Sequence, residues 1–333
     1  MTQAKPTLLP VEITVIVCCY NAEATIEETL RTLLDQTYSP VEILVIDDGS
    51  HDRSRDIITR AASHDKRIRM LSNGVNRGTA YTRHRGLCEA RTSAVMFFDA
   101  DDLAHATLLE KQARVLAQDP DILGVGCYAY YLSAGDGQRE LGRQCIGPIN
   151  RQAALLQYQN NKLMFMPNVT LFWREDALAA GGYRQAIMPN GKGVRYEDFA
   201  EDLDLWCRMS DRGSQGRYFL TIAEPLFSYR KPPQSLSTRN LLLMQLKMRW
   251  IKDCLVRRRS GECERSLAEF IASRGLLDRF NDWRSDRAAG FYKQAGFSYT
   301  SRRYVRLAVF LVLTAITSPK LVRQKLKTQS VRS

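Results

Sequence analysis

No stretch of this 333-residue chain holds the ~20 consecutive apolar residues that a membrane-spanning helix needs. Met1 to Glu12 mixes residue types around Pro6 and Pro10 and lacks the basic-then-apolar order of a secretory signal. CxxC spacing is absent, and none of the eight cysteines stands beside a histidine at zinc-finger spacing. The first predicted strand runs into Cys18-Cys19-Tyr20-Asn21-Ala22 rather than GxGxxG, and no GxxxxGK[ST] loop occurs. Internal repeats and low-complexity segments are missing as well. These absences argue against a spanning membrane protein, a zinc module, a dinucleotide enzyme and a P-loop nucleotidase. A reducing cytoplasm is the expected compartment, with Cys18 and Cys19 as buried reduced thiols on opposite faces of one strand.

Hydrophobic residues make up 44% of the chain and charged residues 25%, enough to bury a core and too ordered a composition for a disordered protein. The net charge of +12 is unevenly placed. Residues 1–235 carry 27 basic and 29 acidic groups, whereas residues 236–333 carry 21 and 7. Protein-wide wrapping of nucleic acid is therefore not expected, and no aromatic-interleaved basic platform is visible, so nucleic acid is not a predicted partner.

The first hundred residues alternate short apolar runs with amphipathic stretches. Ile13–Cys18 reads as a strand buried on both faces, and Val41–Ile46, Ile68–Leu71 and Val95–Phe98 as further strands. Helices are predicted over Glu23–Gln36, from Asp52 as cap to about Ser63, and over Thr79–Ala90. That order implies right-handed crossovers and a mostly parallel sheet, whose ligands bind beyond the carboxyl ends of the strands. Cys18–Tyr20, Asp47–Asp48 and Asp99–Asp102 all fall there. Farther on, Leu108–Ala117 and Ala200–Ser210 read as helices, Ile122–Tyr131 and Val169–Trp173 as strands, and 181–200 as a mobile substrate loop. From near Thr238 the chain is helical and then strongly basic at Arg257-Arg258-Arg259.

Without a P-loop, a phosphate must be held by other means, and a divalent cation on carboxylates is the natural substitute. Asp99-Ala100-Asp101-Asp102 follows an apolar strand directly and offers hard oxygens suited to Mg²⁺ or Mn²⁺. Asp102 assists there or caps the next helix.

The stretches TVIVCCYNAEATIEETLRTLLDQTY, EILVIDDGSHDRS, NRGTAYTRHRGLCEA, FFDADDL, PNVTLFWRE, GGYR and AEDLDLWCRM follow one another between about residues 12 and 230. In that order and spacing the sequence resembles glycosyltransferase family 2, with its GT-A fold. The resemblance implies a Rossmann-like, mostly parallel α/β sheet flanked by helices, here with a C-terminal helical basic extension. It divides the chain into a nucleotide-sugar half (1–110), an acceptor half (111–235) and the extension (236–333). It further implies an inverting transfer from a nucleotide-diphosphate sugar, UDP on family frequency, to a hydroxyl of a glycan or lipid-linked glycan. Cys18 and Tyr20 match the nucleoside-lining positions, Asp48 the carboxylate that reads the base, and Asp99 and Asp101 the DxD motif. Asp101 would ligate the metal, and Asp99 the ribose or the metal. Arg77 and His84 fall in the donor-contacting stretch, His84 where relatives often carry asparagine. Asp202 matches the base that deprotonates the acceptor, with Glu201 as its close competitor; Asp198 and Asp204 read as solvated acids of a helix face. Where many relatives have a histidine that closes on the diphosphate, this chain has Lys231-Pro232-Pro233, leaving Arg230 or Lys231 as the phosphate cation. That departure is the one feature favouring the rival expectation, a non-catalytic relative that binds carbohydrate or acts as a scaffold.

Leu307–Ser318 is an uncharged run of twelve, and residues 301–333 contain no acid. As a helix the run spans only ~18 Å. It is expected to lie in the plane of an anionic membrane, placing the protein on the inner face as a peripheral protein.

Overall fold

A computed structural model describes residues 10–39, 41–133, 139–188, 194–231, 240–300, 303–319 and 322. The chain forms two compact units, residues 1–233 with 251–264, and residues 234–250 with 265–333.

The first unit is built on a nine-stranded sheet with helices packed against it. Strands β1 (Ile13–Cys19), β2 (Val41–Asp47), β3 (Ile68–Ser72) and β4 (Ala94–Asp99) pair in parallel in the order β3-β2-β1-β4. Between them run α1 (Ile26–Leu34), α2 (Ser54–His64) and α3 (Thr79–Glu89). The apolar runs that predicted β1, β2 and β4 are almost wholly buried, as crossover helices on both faces require. The order continues β4-β8-β6-β9-β5, through β5 (Leu103–Ala104), β6 (Ile122–Ser133), β8 (Leu171–Trp173) and β9 (Tyr218–Lys231). Strand β8 is antiparallel to both neighbours, while β6 and β9 run parallel; β7 (Glu140–Gln144) hangs off β6. The helices of this half are α4 (Leu108–Gln118), α5 (Arg151–Gln159), α6 (Arg174–Ala179) and α7 (Glu201–Met209).

Several sequence expectations shift here. Strand β9 went unpredicted because Glu224-Pro225 interrupts its alternation; its register against β6 slips near Tyr128, opposite Pro225, where proline removes a ladder donor. Asp102 caps no helix, since α4 starts at Leu108 behind Thr107. Asp52 lies just before α2 and accepts Ser54 N at 3.0 Å. The flanks of the expected mobile loop are pinned: Asp198 accepts Ala80 N at 2.8 Å, and Arg195 reaches Asn76. Residues 189–193 of that loop lie outside the described residues, as do Pro232 and Pro233.

Arg257-Arg258-Arg259 ends α8 (Leu241–Arg259) and is no solvated patch. Arg258 and Arg259 both bond Asp211, and Arg258 also reaches Glu264. The second unit contains α9 (Leu267–Ala272), α10 (Leu276–Thr300) and α11 (Tyr304–Thr317). Ser266 and Glu269 close a capping box on α9. Within this unit Arg249 pairs with Asp286 at 2.8 Å, and Phe291 on α10 stacks with Phe310 on α11 at 6.3 Å. Among the described residues no helix is long and apolar enough to cross a membrane.

Candidate active site

The carboxyl ends of β1, β2 and β4 present Cys18, Asp47 and Asp99 side by side, since Cys18 is the register partner of Ile46 and of Asp99. Alternation along β1 sends Cys18 and Cys19 to opposite faces. Burial pushes both thiols up to about 12, so neither is a thiolate nucleophile; the charges around Cys18 are Arg83, Asp99, Asp48 and Glu201, while Cys19 meets Ser54 and Asp47.

Asp48 is 5% exposed and takes three donors. Asn73 Nδ2 at 2.7 Å and Arg77 N at 2.9 Å reach Oδ1, and Gly78 N at 2.9 Å reaches Oδ2. The carboxylate thus fixes the 73–78 turn, with acceptor capacity left over for a ligand. Gly78 sits at φ +96°, and a Cβ there would collide with the Asp198 carboxylate that caps α3. Tyr20 is exposed, and the Arg77 guanidinium lies 4.5 Å over the Tyr81 ring.

The three aspartates after β4 have different settings. Asp99 accepts from Arg83 at 3.1 Å and from Asn168 at 3.0 Å. Asp102 is fully buried and accepts Arg230 N at 3.0 Å; burial, then Asp99 and Asp101, raise its carboxyl well above the usual range. Asp101 is pushed up to about 6, mainly by burial and then by Asp99. Among the described residues no side chain donates to the Asp101 carboxylate. A cluster of this kind, short of positive charge at Asp101, suits a cation. Among the described residues no three metal-type side chains converge.

Of the two residues left as phosphate cation, Arg230 pairs its guanidinium with Glu28 and donates to the Asp101 carbonyl, bracing the Asp101–Asp102 turn, and the Lys231 side chain lies outside the described residues. His84 stands apart from the carboxylates: it packs against Gly182 and beside Cys88, and burial, then Arg208, lowers its pKa.

Glu201 and Asp202 open α7, where the helix dipole favours negative charge. The preceding Ala200 is held in the left-handed region at φ 49°, a strain of about 1 kcal/mol. Arg83 joins the two halves of the site. Its buried guanidinium lies 3.1 Å from Asp99 and 3.3 Å from Glu201, above the Phe97 ring. Burial opposes its charge, but Glu201 and Asp99 outweigh that and hold it firmly protonated. Asp202 accepts its neighbour's Leu203 N at 2.7 Å. Asp198 and Asp204, expected to be solvated, are structural: Asp198 caps α3, and Asp204 is buried between Arg184 and Arg208.

Sequence reasoning missed Arg83, Asn168, Tyr183 and Tyr229 as site residues. Among the described residues the buried Tyr183 hydroxyl has no hydrogen-bond partner; it lies near Arg83, Asp202, Glu201 and Cys18. Burial and the charges of Asp99, Asp102 and Asp101 raise Tyr229. Arg83, Asn168 and Tyr183 lie within the stretches NRGTAYTRHRGLCEA, PNVTLFWRE and GGYR; the pairing of Arg83 with Glu201 spans too much sequence to leave a local signal.

The sequence model "Glycosyl transferase family 2" matches residues 14–179. A relative from Borreliella burgdorferi named cholesterol galactosyltransferase is 32% identical over 219 residues, 63% of this chain and 59% of its own. S. aureus TarS 1-349, solved in complex with UDP-GlcNAc, superposes with a TM-score of 0.53 at 13% identity, covering 90% of both chains. A Pyrobaculum calidifontis mannosyltransferase, solved with GDP-Man and Mn²⁺, gives 0.52 at 17% identity over 94% of this chain and 90% of that one. At such identities the solved structures establish the GT-A fold alone. The chain spans between 47% and 65% of the length of three relatives it matches in sequence.

Proposed function

We propose that this chain, which belongs to glycosyltransferase family 2, transfers a sugar with inversion from a nucleotide-diphosphate donor to a hydroxyl of a glycan or lipid-linked glycan. The observation that carries the reading is the Arg83 bridge, which brings the Asp99–Asp102 carboxylates and the Glu201–Asp202 pair into one site. A nucleotide-sugar needs the first set, and an attacking hydroxyl needs the second on the opposite face.

Asp202 is the base in this reading. Glu201 is tied to Arg83, whereas among the described residues Asp202 accepts from a backbone amide at its own helix start. The acceptor O–H proton passes to the Asp202 carboxylate as its oxygen bonds the anomeric carbon. The bond to the diphosphate oxygen breaks, and its electron pair leaves with the diphosphate. Asp101, with Asp99, would hold Mg²⁺ or Mn²⁺, which neutralises charge on a leaving diphosphate. Arg230 supports that set from behind by fixing the Asp101–Asp102 turn. Cys18, Tyr20 and Arg77 border the nucleoside side, and Asp48 reads the base with the acceptor capacity left to it. A UDP-sugar is the favoured donor, supported by the UDP-GlcNAc complex of TarS, with cell-surface polysaccharide or glycolipid as the product class. The basic tail holds the protein on an anionic membrane face, close to a lipid-linked acceptor.

The test is release of nucleoside diphosphate from UDP-, GDP- and dTDP-sugars, by the wild type and Asp202→Asn. Release with one nucleotide, lost in the variant, supports the reading. Absence of release and of donor binding in folded protein would assign a scaffold instead.

A further inference from the structure

Helix α10 carries an apolar face that nothing in the catalytic reading uses. Leu276, Phe280, Trp283 and Arg287 recur at i, i+4, i+7 and i+11, one stripe of a helix. Leu276 is 87% exposed, Phe280 57% and Trp283 53%, with Leu277 beside them at 81%. Phe280 and Trp283 stack at 6.0 Å, and the Arg287 guanidinium lies 5.8 Å over the Trp283 ring. Singly exposed apolar residues are ordinary; a contiguous aromatic and leucine stripe is not.

The charges around the stripe are sorted by sign. Asp282 and Asp286 turn away from it into ion pairs with Arg249, and Asp282 also pairs with Arg274. Asp278 lies on the far side of the helix from Leu276. Arg279, Arg284 and Arg287 stay exposed along the stripe and its edges. A second copy laid on this face would set arginine against arginine, with the nearby acids already engaged. An anionic surface meets both the cations and the apolar row. The adjoining α11 repeats the pattern, exposing Val305, Val309, Val312 and Ile316 at the same spacing.

We propose that the Leu276–Arg287 stripe inserts into the headgroup boundary of an anionic bilayer, with its arginines on lipid phosphates. This contact deepens the membrane reading and is separate from the 301–333 tail, so each can fail without the other.

Trp283 supplies the probe, because Trp206 and Trp250 are buried and Trp173 is half-buried. Full-length protein is mixed with phosphatidylcholine vesicles carrying brominated acyl chains, with and without phosphatidylglycerol. The expected result is quenching of tryptophan emission on anionic vesicles, absent in Trp283→Phe, with partition weakened about tenfold in Phe280→Ser. Sedimentation with vesicles without quenching of Trp283 would leave the tail as the only contact and overturn the proposal. Concentration-dependent dimerisation abolished by Phe280→Ser, without partition, would overturn it in favour of a second copy.

Discussion

Arginine is used in opposite ways in the two units. In the first, Arg83, Arg184, Arg208, Arg258 and Arg259 sit inside the protein against carboxylates, and nearly balanced charge becomes internal scaffolding. In the second, Arg249 and Arg274 consume the acids, and Arg279, Arg284 and Arg287 face outward along an apolar row. Total charge therefore predicts little about a region; the availability of acids to pair with predicts more. The body spends its arginines on geometry, and the helical unit keeps a surface charge for a partner.

The largest break in that contrast comes from the site. Asp202→Asn is expected to lower turnover about 10²–10⁴-fold while donor affinity stays within a few-fold, read by steady-state kinetics and calorimetry. Glu201→Gln should cost much less turnover. Next is Arg83→Met, which leaves the largely buried Glu201 without its cation while the part-exposed Asp99 keeps Asn168; unfolding in urea should show a loss of about 3 kcal/mol. An unchanged midpoint would mean the bridge is not structural.

A smaller effect sharpens the comparison through pH. Burial alone would raise the Glu264 carboxyl, but Arg184 and Arg258 hold it at about 2, against an ordinary 4.5. Its folded pKa is depressed, so its contribution is present above about 4.5 and is lost as pH falls toward 2. Glu264→Gln should flatten that part of the acid-unfolding curve. The smallest effect is expected at the outward arginines: Arg284→Gln should shift stability by no more than about 0.5 kcal/mol. A larger loss would show that this arginine also has an internal partner.

The same contrast explains what the sequence disclosed. The parallel half was legible because β1, β2 and β4 are largely apolar runs and their ends carry the acids. Asp99 and Asp101 stood out as carboxylates following an apolar strand, whereas the Glu201–Asp202 pair was picked out only by the resemblance to glycosyltransferase family 2. Asp204 was misread, because a charged residue on an amphipathic helix looks solvated until its distant partner is known. Strand β9 was hidden by Pro225, and the capping of α3 by Asp198, more than a hundred residues away, has no local signature. The α10 stripe was overlooked because its arginines and aspartates alternate in sequence and separate only around the helix.

The most direct test of the account is ligand-induced melting with UDP-, GDP- and dTDP-sugars, with and without Mn²⁺, on wild type, Asp101→Ala and Asp202→Asn. The account predicts a metal-dependent upward shift with one nucleotide that Asp101→Ala abolishes and Asp202→Asn retains. A shift that survives Asp101→Ala, or none with any donor in folded protein, would contradict it.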